Sequence, residues 1–486
     1  MNYGVLSRLL GILVLIMGGC MVFPALWGVY YGERETWAMA SGIAACAVGG
    51  AALLALGRRS RAAVMTRRTG IAVVGLGWIA AAAFGCVPFV VAGTFPGAAG
   101  VIDAYFETMS GFTTTGSTVL VDIEAVPKCL LFWRSMTHWL GGMGIIVLFV
   151  ALMPFLGVGA RQLYRSEVPG PTHDGFTPKI RETARMLWLI YLGITALETF
   201  MLLGTGMGLF DSLCHTFGTM ATGGFSTKNA SIGHYGDLNV EIIVIFFMAS
   251  VGVNFGLYYQ VLRGGAGALP ADTEFRAYTG LLLAGTCAVT INLYAAGVYG
   301  SVWSALRNAS FQVTSILTTT GYGTANFNEW PPFSKTLLVV FMFIGGCAGS
   351  TGGGMKVIRA VVLAKSAFHS VYRTFHPEAQ LTLRIGGAPI PEQTRVQIME
   401  FFVWAFGIFA AASLVAAAFG CDVVTSVTAV AATLWNIGPG LERVGAIENY
   451  AFMHPFVKLI LSLCMVMGRL ELFTVLALFS PSFWKR

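Results

Sequence analysis

Charge is what this sequence has least of: Asp, Glu, Lys and Arg make up 11% of its 486 residues, against roughly 25% in ordinary soluble domains. A water-soluble fold could not cover the 56% that are hydrophobic. Paired cysteines are missing as well. Nine cysteines, among them Cys20, Cys46, Cys86, Cys287, Cys347 and Cys464, stand singly inside apolar segments with no CxxC spacing, so they read as small buried residues rather than metal ligands. No HExxH, GxSxG or paired-carboxylate pattern appears at a working spacing, which speaks against a membrane-embedded enzyme. No strand followed by GxGxxG lies outside the apolar spans, so a Rossmann unit is absent. The net charge of +7 comes from basic residues in short loops, with no long basic face for nucleic acid.

What the sequence does have is apolar runs of membrane-spanning length, about 20 residues each. They predict an all-α polytopic membrane protein with about ten transmembrane helices at 5–28, 36–57, 70–94, 128–156, 186–206, 239–262, 277–297, 334–370, 396–419 and 451–480. Near the N-terminus, Met17-Gly18-Gly19-Cys20 loosely resembles a lipoprotein signal. Met three places before the Cys and the length of the run argue for a retained first helix instead.

Basic residues then set the orientation. Arg58, Arg59, Arg61, Arg67 and Arg68 fill the second loop, and alternate loops onward carry Arg161, Arg165, Lys179, Arg181 and Arg185, then Arg263 and Arg276, then Lys356 to Arg395, then Lys485 and Arg486. The positive-inside bias puts these loops and both termini in the cytoplasm. The opposite loops carry Glu33, Glu35, Asp122, Glu124, Asp237, Glu329, Glu442 and Glu448. Those acids either concentrate cations at an outer mouth or simply solvate loops.

Beyond the first two helices one pattern recurs: a long span, a shorter apolar segment, a Thr- and Gly-rich stretch, another long span. The four stretches are Thr114-Thr115-Gly116-Ser117-Thr118, Thr222-Gly223-Gly224-Phe225-Ser226, Thr319-Thr320-Gly321-Tyr322-Gly323 and Asn436-Ile437-Gly438-Pro439-Gly440. Their central glycines stand 108, 97 and 117 residues apart. The preceding segments, Val101 to Phe112, Leu209 to Met220, Ser301 to Leu317 and Asp422 to Trp435, are too short to span and read as re-entrant pore helices. Chain that turns back at membrane depth survives only where it is buried in protein or lines water. Successive carbonyl oxygens along such a path can replace the hydration shell of an alkali cation. The third stretch differs from the Thr-Val-Gly-Tyr-Gly filter of K⁺ channels only in Thr320 standing for Val. A single Thr-Gly cluster could be a turn or a close helix contact; four in phase favour a pseudo-fourfold ring.

On these motifs, the chain resembles the Trk/Ktr/HKT superfamily of K⁺ transporters, and within it the bacterial TrkH/TrkG branch, over almost its whole length. Trp133-Arg134-Ser135-Met136-Thr137-His138-Trp139-Leu140-Gly141-Gly142-Met143-Gly144 is similar to that branch's first post-filter helix, and Met467-Gly468-Arg469-Leu470-Glu471 to its last. The resemblance implies two extra N-terminal helices (1–69) and four pore repeats (70–165, 166–270, 271–392 and 393–486). It assigns Thr114, Thr115, Gly116, Thr222, Gly223, Gly224, Thr319, Thr320, Gly321, Asn436, Ile437 and Gly438 to a selectivity filter holding K⁺ through backbone carbonyls. In the wider family a Ser in place of the first filter glycine accompanies Na⁺ transport, so Gly116 favours K⁺.

The third post-filter helix is interrupted by Gly345-Gly346-Cys347-Ala348-Gly349-Ser350-Thr351-Gly352-Gly353-Gly354, where each glycine weakens a helix by about 1 kcal/mol relative to Ala. The resemblance makes this an intramembrane gating loop, with a glycine-lined helix contact as the competing reading. Gly349 to Lys356 echoes a phosphate-binding loop, but the spacing fails. Arg469 falls within the last span, where a charge faces a cavity or a partner; the resemblance makes it a barrier below the filter, the alternative being a pair with Glu471 or another acid. Glu107, His138, Glu198, His215, Asn254 and Asn292 are further intramembrane polar residues that read as interhelical contacts.

Rival functions are an ion-coupled secondary transporter, whose repeats are usually inverted whereas these run in one direction, and a less selective K⁺/Na⁺ pathway. The resemblance further implies a homodimer in the bacterial inner membrane and a cytosolic ring of TrkA-type regulatory subunits that bind NAD(H) or ATP. The chain itself is expected to need no cofactor besides the transported K⁺. The basic loops Arg161 to Arg185 and Lys356 to Arg395 offer the docking face.

Overall fold

The computed structural model describes residues 1–58, 66–144, 180–265, 267–379, 382–470 and 472–485. Arg59, Arg61, Arg161, Arg165, Lys179, Glu471 and Arg486, and the first repeat boundary at 165, lie outside the described residues. Helix dominates, and the only strands among the described residues form a two-stranded antiparallel hairpin, Arg384–Ile385 with Ala388–Pro389. The architecture is thus that of an all-α polytopic membrane protein.

Among the described residues, six helices are long and apolar enough to cross a bilayer unaided: Tyr3–Tyr31, Thr36–Gly57, Arg68–Val91, Ala184–Gly204, Thr273–Ala295 and Glu392–Ala418. The first two approach closely through small residues, a Cβ at Gly11 falling 2.8 Å from the Gly50 carbonyl oxygen. Small residues are how helices pack in lipid, where no hydrophobic force draws them together.

Two expected spans are built differently. The span expected at 239–262 divides into Leu238–Val251 and Phe255–Leu262, bent by 92°. Gly252 ends the first half, and the Asn254 side chain caps the second by accepting from Gly256 N at 2.8 Å. The span expected at 334–370 is Pro332–Ile344 and Val357–Phe375, separated by the glycine-rich loop.

The four short segments are helices: Gly100–Phe112, Leu209–Met220, Val302–Leu317 and Val423–Leu434. At about 1.5 Å per residue they reach roughly 18–24 Å, short of a hydrocarbon core of about 30 Å. Ser301 caps the third through Ser304 N and Asp422 the fourth through Thr425 N. Each is buried over its C-terminal half, and that end delivers the chain to a Thr/Gly stretch.

Past those stretches the chain links into a closed circuit at one end of the bundle. Ile123 N donates to Asn229 Oδ1 at 2.8 Å, Gly233 N to the Gly323 carbonyl at 3.1 Å, Asn328 Nδ2 to the Glu442 carbonyl at 2.9 Å, and Tyr450 N to the Thr118 carbonyl at 2.8 Å. First loop meets second, second third, third fourth, and fourth first. Two ion pairs pin the first short helix: Glu107 with Arg134 and Asp103 with Lys458, each at 2.6 Å. The third short helix is held by Arg307 to Glu241 at 2.7 Å.

Candidate ion-conduction site

At the end of each short helix the backbone performs the same manoeuvre. Thr114, Thr222, Thr319 and Asn436 take positive φ of 54°, 53°, 61° and 54°, and the residue two places on is a glycine at 85°, 75°, 82° or 100°. Between them, Thr115 N, Gly223 N, Thr320 N and Ile437 N turn back to the carbonyls of Ser110, Gly218, Ser315 and Ala432 at 2.8–2.9 Å. With the N–H groups directed away, the carbonyl oxygens are left facing elsewhere. Among the described residues no donor reaches those of Thr114, Thr115, Gly116, Thr222, Gly223, Gly224, Thr319, Thr320, Gly321, Asn436 or Ile437. The Gly438 carbonyl differs, accepting from Ser117 Oγ at 3.0 Å and Tyr450 Oη at 2.8 Å. Buried carbonyls need partners, so this set is suited to water or a hard cation.

The glycines close the ring. A Cβ at Gly116 would overlap the Gly223 carbonyl oxygen, one at Gly224 that of Thr320, and one at Gly321 that of Ile437, while one at Gly438 would lie 2.8 Å from that of Thr115. Each stretch leans on the next in chain order and the fourth returns to the first. All twelve residues expected in the filter are therefore brought together, and Gly116, Gly224 and Gly321 are only partly buried.

Side chains brace the ring from behind. Thr115 and Thr320 pair their hydroxyls with Thr113 and Thr318, each at 2.8 Å. Asn436 Nδ2 donates to Thr115 Oγ1 and to the Met465 carbonyl, both at 2.9 Å. Arg134, fully buried, donates to Glu107 and to the Ser226 carbonyl at 2.9 Å. Glu107 also accepts from Val119 N at 2.8 Å and Thr118 Oγ1 at 2.9 Å. His215 bonds the Asp211 carbonyl and Ser226 Oγ, and Asn292 accepts from Ser334 Oγ.

The glycine-rich loop lies against the underside of the third and fourth stretches. Gly353 N donates to Thr319 Oγ1 at 2.7 Å, and Gly354 N to the Trp435 carbonyl at 3.0 Å. Gly345, Gly349 and Gly354 take positive φ of 77°, 75° and 76°, which suits residues without Cβ. Gly346 lies beside the Gly252 carbonyl and Ser350 Oγ, and Gly352 beside the Thr318 carbonyl. The broken second-repeat helix holds the loop's other side: Cys347 N donates to the Gly252 carbonyl at 2.9 Å, and Phe255 N to that of Gly349 at 3.0 Å. Glu274 Oε1 accepts from both Ala348 N and Ile358 N, at 2.8 and 2.9 Å.

Arg469 joins this loop to the first repeat. Its Nη1 donates to the Thr351 carbonyl at 2.7 Å and its Nη2 to the carbonyls of Gly141 and Gly142 at 2.6 and 2.7 Å. Gly142 ends the helix Lys128–Gly142, so the cation sits where the helix dipole favours it. A pocket beside it is lined by Gly352, Gly353, Gly354, Lys356, Arg359, Phe401, Gly468 and Arg469.

Lys356, expected at the head of a basic cytoplasmic loop and docking face, is instead buried, at φ 73°, with its Nζ meeting the Gly352 carbonyl. Gly252 and Glu274 are loop anchors that periodicity did not single out, and Asn254, expected as an interhelical contact, caps the helix that begins at Phe255. The Ser250-Val251-Gly252-Val253-Asn254 run was the available signal, since Gly followed by a capping Asn marks a break.

Three of the loop acids, Glu33, Asp122 and Asp237, serve local structure. Glu33 caps the helix Lys128–Gly142 by accepting from Lys128 N and Cys129 N, and Asp237 caps Leu238–Val251. The Asn229 side-chain amide, donating to Asp122 at 2.9 Å, holds that carboxyl below the usual carboxylate range.

A bundle of this composition, with four interrupted segments converging on one carbonyl-lined ring, defines a polytopic membrane protein of the transporter and channel class. A model of the TrkH family, described as a cation transport protein, matches residues 38–486, and the chain belongs to that family, on its TrkH/TrkG branch; it is a transporter, not an enzyme. It is 39% identical to the Trk system potassium uptake protein TrkH of Salmonella typhimurium over 100% of both chains. It is 35% identical to the TrkG protein of Escherichia coli over 79% of each. The crystal structure of the potassium transporter TrkH from Vibrio parahaemolyticus superposes with a TM-score of 0.89 at 35% identity, covering 100% of both chains.

Proposed function

We propose that this chain takes up K⁺ across the bacterial inner membrane through a filter formed by Thr114 to Gly116, Thr222 to Gly224, Thr319 to Gly321 and Asn436 to Gly438. The observation that carries this reading is the cyclic contact of each filter glycine with the next stretch's backbone. Four unlike stretches then converge with carbonyls that no protein donor reaches among the described residues, that of Gly438 excepted, the arrangement that can stand in for the hydration of K⁺. The division into two N-terminal helices and four pore units, 1–69, 70–165, 166–270, 271–392 and 393–486, follows from the same reading.

Gly345, Gly346, Gly349, Ser350, Thr351, Gly352, Gly353 and Gly354 form the gate below the filter, with Arg469 its latch and an electrostatic barrier to cations. Both termini face the cytoplasm, on the charge asymmetry of the loops. The relatives' description as components of a Trk system supports regulation by a cytosolic nucleotide-binding subunit of the TrkA type, with NAD(H) or ATP on that partner, and a homodimer as the membrane unit. An ion-coupled cycle is the second reading, favoured by Glu198, an intramembrane carboxyl that is fully buried with neither oxygen hydrogen-bonded among the described residues and so of a kind that usually marks function.

The test is Rb⁺, K⁺ and Na⁺ flux into K⁺-loaded proteoliposomes for wild type, Gly116→Ser and Arg469→Ala. Flux favouring K⁺ and Rb⁺, with selectivity relaxed by the first change and flux raised by the second, is expected. Selectivity indifferent to Gly116→Ser removes the filter assignment, and flux that depends on a pH or Na⁺ gradient promotes the coupled reading.

A further inference from the structure

Three of the four stretches carry a side chain just before the central glycine: Thr115, Thr320 and Ile437, all fully buried. The second carries Gly223. Thr115 and Thr320 are fixed by hydroxyl bonds to the threonine two places earlier, and Ile437 follows Trp435 in the same relation. In the second stretch both positions are small, Ala221 and Gly223, so it has nothing of its own to pack behind the backbone.

Backbone conformation does not demand that glycine. Thr222 and Gly224 occupy the left-handed region, but Gly223 between them does not. Space demands it. A Cβ at Gly223 would fall inside the His138 imidazole, 2.6 Å from both Cγ and Cε1 and overlapping Nδ1. His138 belongs to the helix Lys128–Gly142 of the first repeat and is fully buried. Its ring stacks on Phe225 with centroids 4.0 Å apart at 13°, and its Nδ1 accepts from Phe225 N at 3.4 Å. One helical turn earlier, the Arg134 guanidinium lies 3.5 Å from the Phe225 ring centroid, clamping the same residue.

We propose that His138 is a positioning residue of the second filter stretch: its imidazole replaces the side chain that Gly223 lacks, so that the first pore unit supplies the back wall of the second unit's filter. This rests on reading the four stretches as the filter. The Gly223 carbonyl is the one that meets Gly116, so a void behind it loosens the ring at that joint. Close-packed surroundings relax only partly into such a void, and selectivity depends on the number and field of the carbonyl ligands.

The test is a double-mutant cycle on the full chain in proteoliposomes: wild type, His138→Ala, Gly223→Thr, and both together, read as the Rb⁺/Na⁺ uptake ratio, with Gly116→Ser alongside. Each single change is expected to lower the ratio by about fivefold or more, and the pair to return it to within about twofold of wild type, the coupling expected of residues sharing one space. A His138→Ala chain that folds only in company with Gly223→Thr supports the proposal equally. It is overturned by a wild-type ratio in His138→Ala, or by a double variant that is misfolded or no better than the worse single one. If Gly116→Ser leaves the ratio unchanged, the filter reading itself has failed; if it relaxes the ratio while the cycle shows no coupling, only the role of His138 has.

Discussion

Thr114, Thr222 and Thr319 hold a conformation that β-branched residues avoid, at φ of 53–61°, and such strain costs of order 1–3 kcal/mol per residue. It persists because the following N–H is tied to the short helix and neighbouring side chains are locked around the turn. Asn436, whose residue type enters the left-handed region more readily, shows that the fourth repeat reaches the same geometry with less strain. The surrounding polar contacts should therefore be sensitive to single changes. Glu107→Gln leaves Arg134 as a buried cation with a weaker partner, and the expected loss is about 3 kcal/mol of stability, seen as a lower unfolding midpoint in detergent. A charge-free pair, Glu107→Gln with Arg134→Met, should recover part of that loss.

At the scale of elements, the glycine-rich loop is a break stabilised from three sides: the third and fourth Thr/Gly stretches, the broken helix at 238–262, and Glu274. Two amides converge on one Glu274 oxygen, each such bond contributing about 1 kcal/mol. If the loop closes the path, Glu274→Ala should raise Rb⁺ uptake without a regulatory partner by about tenfold while leaving the Rb⁺/Na⁺ ratio unchanged. Unchanged uptake would mean that the loop is a fixed helix contact. The 92° bend between Leu238–Val251 and Phe255–Leu262 was not legible from periodicity, because both halves are apolar and a hydropathy window averages over Gly252 and Asn254. Only its docking against Cys347 and Gly349 gives the break a purpose.

Across the whole molecule, closure of the ring depends on contacts distant in sequence. Lys458 reaches Asp103 at 2.6 Å across a separation of 355 residues, joining the last repeat to the first. Lys458→Met should lower stability by about 2 kcal/mol, less than a fully buried pair would lose, because Asp103 keeps some exposure. Thermal unfolding in detergent checks the magnitude, and survival of Rb⁺ selectivity in the folded fraction checks that the pair acts on assembly rather than on the proposed filter.

Local composition and spacing were enough to determine the membrane-spanning class, the positions of the four short helices and the four glycine-centred turns. Hydrophobic length, short apolar segments and Gly at sharp turns are properties of neighbouring residues, and they survive without knowledge of the fold. The tertiary structure alone decided which carbonyl each glycine faces, that Arg469 binds the carbonyls of Thr351, Gly141 and Gly142, that Lys356 is buried beneath the ring, and that His138 fills the space at Gly223. Each of those is an encounter between repeats, set by packing geometry that no local pattern encodes.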